Sequence, residues 1–416
     1  MRACFRQLLL SLFLLLIYTA GAVAQEGNRP SSLVVRGLNS PAGSGSAEPN
    51  MYTGIDGRVY LTWIEKQGDK IHALRFAVRN GSEWSAPKTI IEAENLFVNW
   101  ADFPSLVVLS DGALVAHWLV RSGPDAHAYD VNIARSTDDG KTWSKPLAPH
   151  RDGTRTEHGF VSLFPLTGGR AGAIWLDGRN FKDNANEGHG SSTNEMTLRY
   201  TTVNAKGQLS EEMLLDSRVC DCCQTSAALT SEGPIVVYRD RSEKEIRDIS
   251  VVRLSKGRWT EPRTLNADGW EIHGCPVNGP SVSADGKRVA VAWFTAAKES
   301  ARVKVVFSSD AGATFAAPIL VDEGSPVGRV DVLMLTDGSA LVSWLERTAK
   351  GGEVKVRRVR PDGSRDEAIT VAESNAARSS GFPQMARAGN EIIFAWTDPG
   401  TPSRVQTAVA RLGAGR

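Results

Sequence analysis

One short pattern recurs seven times along this chain, and that repetition limits its fold more than any other feature. Each copy has an apolar segment, a glycine turn, a second apolar segment and then an aromatic. The aromatics are Trp63, Trp118, Trp175, Tyr238, Trp293, Trp344 and Trp396, spaced 51 to 63 residues apart. Five to seven residues before each stands Gly57, Gly112, Gly169, Gly233, Gly286, Gly338 or Gly389. Four of these turns are Asp-Gly, a strong hairpin signal. The flanking segments alternate and favour β-branched and aromatic residues, as in Ala113-Leu114-Val115-Ala116-His117-Trp118, so they read as strands. A second glycine turn follows in six copies, at Gly81, Gly140, Gly207, Gly257, Gly312 and Gly363. Each unit is therefore two hairpins, or four antiparallel strands. Such units in series predict an all-β β-propeller, which leaves only short, protected sheet edges. The seventh unit ends at Leu412 after three strands, and Ser31 to Arg36 is available as its fourth. Seven blades closed by both chain ends are expected; six blades with one repeat outside the ring is the alternative. No linker divides residues 25–416, so one domain is expected.

The start of the chain has a different logic. Arg2 and Arg6 precede an apolar run from Leu8 to Ile17, and Ala22-Val23-Ala24 offers small residues for a peptidase. This predicts a signal peptide over 1–24, with an uncleaved anchor as the alternative. The protein is then exported, to a periplasm or the medium, with no later membrane span. The 48 Lys+Arg balance 47 Asp+Glu, which leaves no basic surplus for nucleic acid. With 41% hydrophobic and 23% charged residues, a disordered chain is excluded.

Two second-hairpin turns share Ser-x-Asp-x-Gly-x-Thr-aromatic. One holds Ser136, Asp138, Gly140 and Trp143; the other holds Ser308, Asp310, Gly312 and Phe315. The carboxylate can cap backbone N–H groups, the glycine can take positive φ, and the aromatic can pack inward. This motif resembles the Asp-box of sialidases and other BNR-repeat propellers. The resemblance covers nearly all of residues 25–416 at the level of fold. It implies a glycan or small anionic ligand. Sialidases grip a sugar carboxylate with three arginines, for which Arg239, Arg329 and Arg378 are the candidates here. They also use a Tyr nucleophile paired with Glu, and an Asp acid–base. This chain lacks the family's early Arg-Ile-Pro, and no Tyr follows Tyr238, which fills the aromatic slot of its repeat.

Topology sorts the remaining residues. In a four-stranded meander, the loops between blades and those after the second strand emerge on one face. The Asp-boxes and Asp-Gly turns emerge on the other. The loop-rich face collects Trp100, Asp102, His158, Asp177, Arg179, Cys220 to Thr225, Arg239, Asp240, Arg241, Arg247, Asp248, His273, Cys275, Arg329 and Arg378. Loops on such a face carry ligand sites, although solvated charge is the plain alternative. Asp102, Asp177, Asp240 and Asp248 are candidates for a catalytic pair if hydrolysis occurs, since that needs carboxyls on both sides of the bond. Arg179, Arg239, Arg247, Arg329, Arg378 and His158 are candidates for ligand binding. A polar stretch from Asn180 to Glu195 reads as a surface insertion, with a lid as the alternative. Its Asp183, Asn186 and Glu187 miss calcium-loop spacings.

Cysteine usage is the departure from the family. Cys220, Cys222 and Cys223 enter the fourth unit; His273 and Cys275 enter the fifth. Both loops lie on one face of adjacent blades and are expected to meet. An oxidising compartment favours two disulfides, with Cys275 joined to Cys222 or Cys223, because adjacent cysteines bridge poorly. A soft metal held by the thiolates and His273 is the alternative. Three functions are thus open: a glycan hydrolase, a non-catalytic binding module, and a metal or redox protein.

Overall fold

The computed structural model of the chain describes residues 28–181 and 195–412. The expected leader lies outside the described residues. So does most of the polar stretch after Asn180, including Asp183, Asn186, Glu187 and His189.

The strands form seven separate antiparallel sheets around a central axis. Blade 1 begins with Ser46–Thr53, blade 2 with Ser105–Val108, blade 3 with His158–Leu166 and blade 4 with Ser226–Thr230. Blades 5, 6 and 7 begin with Ser281–Asp285, Pro326–Met334 and Gln384–Ala388. Blade 7 contributes three strands from the C-terminal end, and Val34–Leu38 pairs with Arg404–Arg411 as its fourth. The ring therefore has seven blades closed by both chain ends. The closing strand sits slightly later than the alternation of residues 31–36 suggested.

The repeat aromatics all lie on second strands, and each second strand is buried on both sides. Val289, Val291 and Trp293 of blade 5 face blade 4. Their neighbours Ala290, Ala292 and Phe294 face blade 6. Period-two alternation thus fills two inter-blade gaps with one strand. Every gap has such a cluster, including that between blades 7 and 1 (Leu61, Trp63, Ala395, Val405). A buried aromatic of this kind contributes roughly 2–3 kcal/mol by area, but its polar atom needs a partner. Carboxylates supply it: Trp63 Nε1 donates to Glu65, Trp175 to Asp177 and Trp344 to Glu346, at 3.0, 2.7 and 2.6 Å. Tyr238 fills the same slot, fully buried, and its hydroxyl donates to Asp216 at 2.6 Å. Tyr238 is core.

The Asp-boxes are alike in detail. Asp138 Oδ1 accepts from Ser136 Oγ and Thr142 N, and Oδ2 accepts from Thr142 Oγ1. Asp310 repeats all three bonds with Ser308 and Thr314. Gly140 has φ +77° and Gly312 φ +78°. A Cβ at either would collide with the preceding blade, at Phe76 or Ile235. Trp143 meets Phe76 edge-on at 6.2 Å. The boxes close each turn on itself and clamp it to the neighbouring blade.

The first strands line an axial cavity of about 470 Å³. Phe103, Gln224 and Phe382, from inter-blade loops, are among its lining residues. Among the described residues no helix is long and apolar enough to cross a membrane.

Candidate functional site

Chain entry into several first strands is kinked. Phe160, Val277 and Arg329 have φ of 50°, 45° and 53°, a conformation costly for residues with a side chain. Side-chain acceptors hold two of these kinks. Asp102 Oδ1, in the loop entering blade 2, accepts Phe160 N at 2.8 Å from the entry to blade 3. Asn278 Oδ1, at the same offset before blade 5, accepts Arg329 N at 2.7 Å from the entry to blade 6. Cys223 occupies that offset before blade 4, and its sulfur accepts Asn278 N at 3.4 Å. Asp102 is therefore one member of a series of clasps. It is buried, and burial pushes its carboxyl up to about 8 against the Phe160 bond. Gly159 is confined to hydrogen because a Cβ would meet Asp102 Oδ2.

The other aspartates are also engaged. Asp177 accepts from Trp175, as in the repeat series, and from Arg179 Nε and Nη2 at 2.7 Å each. Asp248 accepts Gly269 N and Trp270 N. Asp240 accepts from Ser250 Oγ and Arg241 N; burial, with help from Asp216, pushes it up to about 6. Asp240 and Asp248 are neighbours, with Asp240 N donating to Asp248 O at 2.9 Å, and both carboxylates are already hydrogen-bonded.

The candidate arginines separate into two groups. Arg239 is 1% exposed, and its guanidinium donates to the carbonyls of Asn278, Arg247 and Phe294 over the Trp270 ring. Those bonds tie blade 4 to blade 5, so Arg239 acts as a structural strut. Arg179 is consumed by Asp177, Asp152 and Glu212. Arg241 binds Glu245, which also binds Arg247 Nη2 at 2.9 Å. Arg329 and Arg378 are different. Both lie over the Trp100 ring, at 4.8 and 5.9 Å. Arg329 Nη1 donates to the carbonyls of Ala377 and Gly381, and Arg378 is exposed. Among the described residues neither has a carboxylate ion pair. Burial, and then the charge of Arg378, push Arg329 down to about 10. Trp100 stacks on Phe382 at 5.7 Å, and Phe103 meets the same ring at 5.8 Å. Since Phe103 and Phe382 line the axial cavity, the two guanidiniums and the indole lie beside it.

His158 is fully buried in a cluster whose other members, His150, Asp130 and Asp152, were not foreseen from their scattered positions. The two imidazoles stack 3.8 Å apart at 6°. Burial pushes His158 down, but Asp130, Asp177 and Asp152 outweigh it and raise it. Burial and His158 hold His150 down to about 4. Ligand atoms of Asp130, His150 and His158, and of Asp152, His158 and Asp177, lie within 4.8 Å of one another, but Arg179 Nη2 already occupies the approach to Asp152 at 3.3 Å. That arrangement suits a proton held between rings and carboxylates better than a shared cation.

The two cysteine loops do meet. Sγ atoms of Cys220, Cys222 and Cys223 lie within 4.8 Å of one another, and Cys275 joins Cys222 and Asp221 within the same limit. Gln224 fixes the junction: its Nε2 donates to Ala101 O and its Oε1 accepts Gly279 N. The expected disulfides are not seen in this structure, where Cys220 Sγ is 3.5 Å from Cys223 Sγ and 3.8 Å from Cys222 Sγ. His273 is not part of the cluster. It is exposed beside Glu271, 3.5 Å away. Arg247 instead reaches the thiols, with Nη1 3.3 Å from Cys220 Sγ and 3.1 Å from Asp221. Burial pushes Cys220 up, yet the neighbouring thiols and Arg247 bring it well below the usual thiol value. Cys220 and Cys223 also stand at Cys-x-x-Cys spacing, overlapped by Cys222.

No family model matches the chain, and no curated protein does. Solved structures do. A protein of unknown function from Dyadobacter fermentans is 16% identical, with a TM-score of 0.50 over 93% of this chain and 100% of that one. The polysaccharide lyase Uly1 is 10% identical, with a TM-score of 0.50 over 94% of each chain. The NanB sialidase of Streptococcus pneumoniae is 10% identical, with a TM-score of 0.46 over 85% of this chain and 83% of that one. The chain is thus a seven-bladed β-propeller, whose overall course is similar to that of the Dyadobacter protein and of the lyase Uly1. At these identities the likeness is one of fold.

Proposed function

We propose that the loop-rich face binds an anionic saccharide, held by Trp100, Arg329 and Arg378 beside the axial cavity. The observation that carries this reading is the pairing of two guanidiniums on one indole, with no ion-paired carboxylate among the described residues. Like charges so placed repel, and an anion between them relieves the repulsion. The planar guanidinium fork suits a carboxylate or sulfate, and an indole suits the apolar face of a sugar ring. The four candidate aspartates have structural partners, which supports binding rather than hydrolysis. Export, as expected from the leader, would bring this face to where free glycans are met.

The test is a titration of the full chain with uronate-containing or sulfated oligosaccharides and with their neutral counterparts. The anionic forms should bind at least tenfold more tightly, with an advantage that shrinks as salt rises. Arg378→Ala should lose that preference with an unchanged melting temperature, because the side chain is exposed. Equal affinity for neutral and anionic sugars, or an unaffected Arg378→Ala, overturns the reading.

A further inference from the structure

We propose that Cys220, Cys222, Cys223 and Cys275 form a binding site for a thiophilic d10 metal ion, zinc or copper(I). Three observations converge on it.

The first is spacing. Cys220 Sγ lies 3.5 Å from Cys223 Sγ and 3.8 Å from Cys222 Sγ, and Cys275 comes up beside Cys222 from the next blade. A tetrahedron of sulfurs around an ion with bonds of ~2.3 Å has edges of about 3.8 Å. The thiols are thus set near coordinating distance of one another without a bond between them.

The second is polarity. Three buried cysteines can pack as small apolar groups, and a purely apolar cluster repels charge. Here Arg247, fully buried, aims Nη1 at Cys220 Sγ, and Asn278 N donates to Cys223 Sγ. N–H donors directed at sulfur are the usual outer contacts of metal thiolates. The position of Cys223 makes the point sharper. The corresponding positions before blades 2 and 5 hold Asp102 and Asn278, oxygen acceptors that clasp the next blade. Before blade 4 a sulfur does that work, where an oxygen would have sufficed for the clasp alone.

The third is construction. The ligands come from two loops that Gln224 and Gly279 lock together, with no room for a Cβ at Gly279. A site spanning two blades on a rigid joint is preorganised.

The test uses the full chain, purified under reductant, stripped, and then given Zn²⁺ alone or Cu⁺ alone. One equivalent of either ion retained per chain, with a rise in melting temperature on loading, is the expected result. X-ray absorption of the zinc-loaded chain should count four sulfur ligands, and three would take Cys275 out of the set. Cobalt(II) should give a thiolate charge-transfer band in the near ultraviolet. Cys223→Asn restores the oxygen clasp used before blade 5, so it should fold, keep saccharide binding and lose the ion. Cys275→Ser should weaken retention at least tenfold, and His273→Ala should leave it unchanged. The proposal is overturned if the reduced protein takes up neither ion. It is also overturned if Cys223→Asn binds as well as the original chain. Alkylation of the denatured, unreduced exported protein that labels none of the four cysteines would likewise overturn it, by assigning them to two disulfides.

Discussion

The Asp-box turns of blades 2 and 5 and the cysteine-bearing loops around blade 4 are both tight, polar and built on a few special residues. They satisfy those residues in opposite ways. In the box every carboxylate bond spans at most four positions, all within the seven residues from Ser136 to Thr142 or from Ser308 to Thr314. In the cysteine loops the partners are far away in sequence: Arg247 of the same blade for Cys220, and, from other blades, Asn278 for Cys223 and Ala101 and Gly279 for Gln224. A turn whose carboxylate bonds complete themselves can be copied along a repeat, needing from the preceding blade only a surface to pack on. It then serves the scaffold. A loop whose polar groups wait for distant partners is tied to one place in the ring, and chemistry specific to that place can be built there.

The comparison can be broken first at Arg239. Its four hydrogen bonds satisfy three buried carbonyls from two blades. Arg239→Ala should cost about 3 kcal/mol or more, since buried acceptors are left unpaired, and chemical denaturation would show it. A loss below ~1 kcal/mol would mean that the loop face does not depend on long-range partners.

Next come two glycines, one per face. Gly140→Ala and Gly279→Ala each force a Cβ into occupied space, at Phe76 and at the Gln224 backbone. Each should cost about 2 kcal/mol. Only Gly279→Ala should also weaken metal retention, because only it separates the cysteine loops. If Gly140→Ala weakens retention equally, the two faces are coupled and the contrast fails.

A smaller effect concerns pH. Asp102 is raised from 3.8 to about 8 by burial. A carboxyl raised on folding favours the fold below its unfolded value, and that contribution fades as pH climbs from about 4 to about 8. Asp102→Asn keeps the acceptor for Phe160 N and removes the titration. Its melting temperature should overtake that of the original chain by a few °C at pH 8 and not at pH 5. Parallel melting curves across that range would remove the assignment. The smallest effect is expected at Asp310, which its hydrogen bonds to Thr314 and Ser308 hold at about 2 despite the opposing pull of burial. A lowered carboxyl stabilises above its unfolded value, and the gain disappears as pH falls from about 4 towards 2. Asp310→Asn should flatten only that acid limb, by a small amount given its exposure.

The same contrast explains which parts could be read in advance. Blade number, the closing strand, both Asp-boxes and the assignment of Tyr238 to the core rest on patterns that repeat within a few residues. The meeting of the cysteine loops followed from blade order. The fates of Arg239, Asp102 and Asp177 did not, because charged residues on a predicted loop look alike whether they face solvent or a neighbouring carbonyl. A signal for Asp177 was present in Trp63-x-Glu65, Trp175-x-Asp177 and Trp344-x-Glu346, where an acid regularly follows the buried indole by two residues.

The sequence by itself determined a ring of seven hairpin pairs, since period-two alternation, Asp-Gly turns and self-contained boxes act over distances of a few residues and repeat. Tertiary structure alone decided which loop charges became struts, which two guanidiniums gathered on Trp100, and which four sulfurs came together. Those outcomes depend on the partner that each buried polar group finds across a blade boundary, and no local pattern encodes that partner.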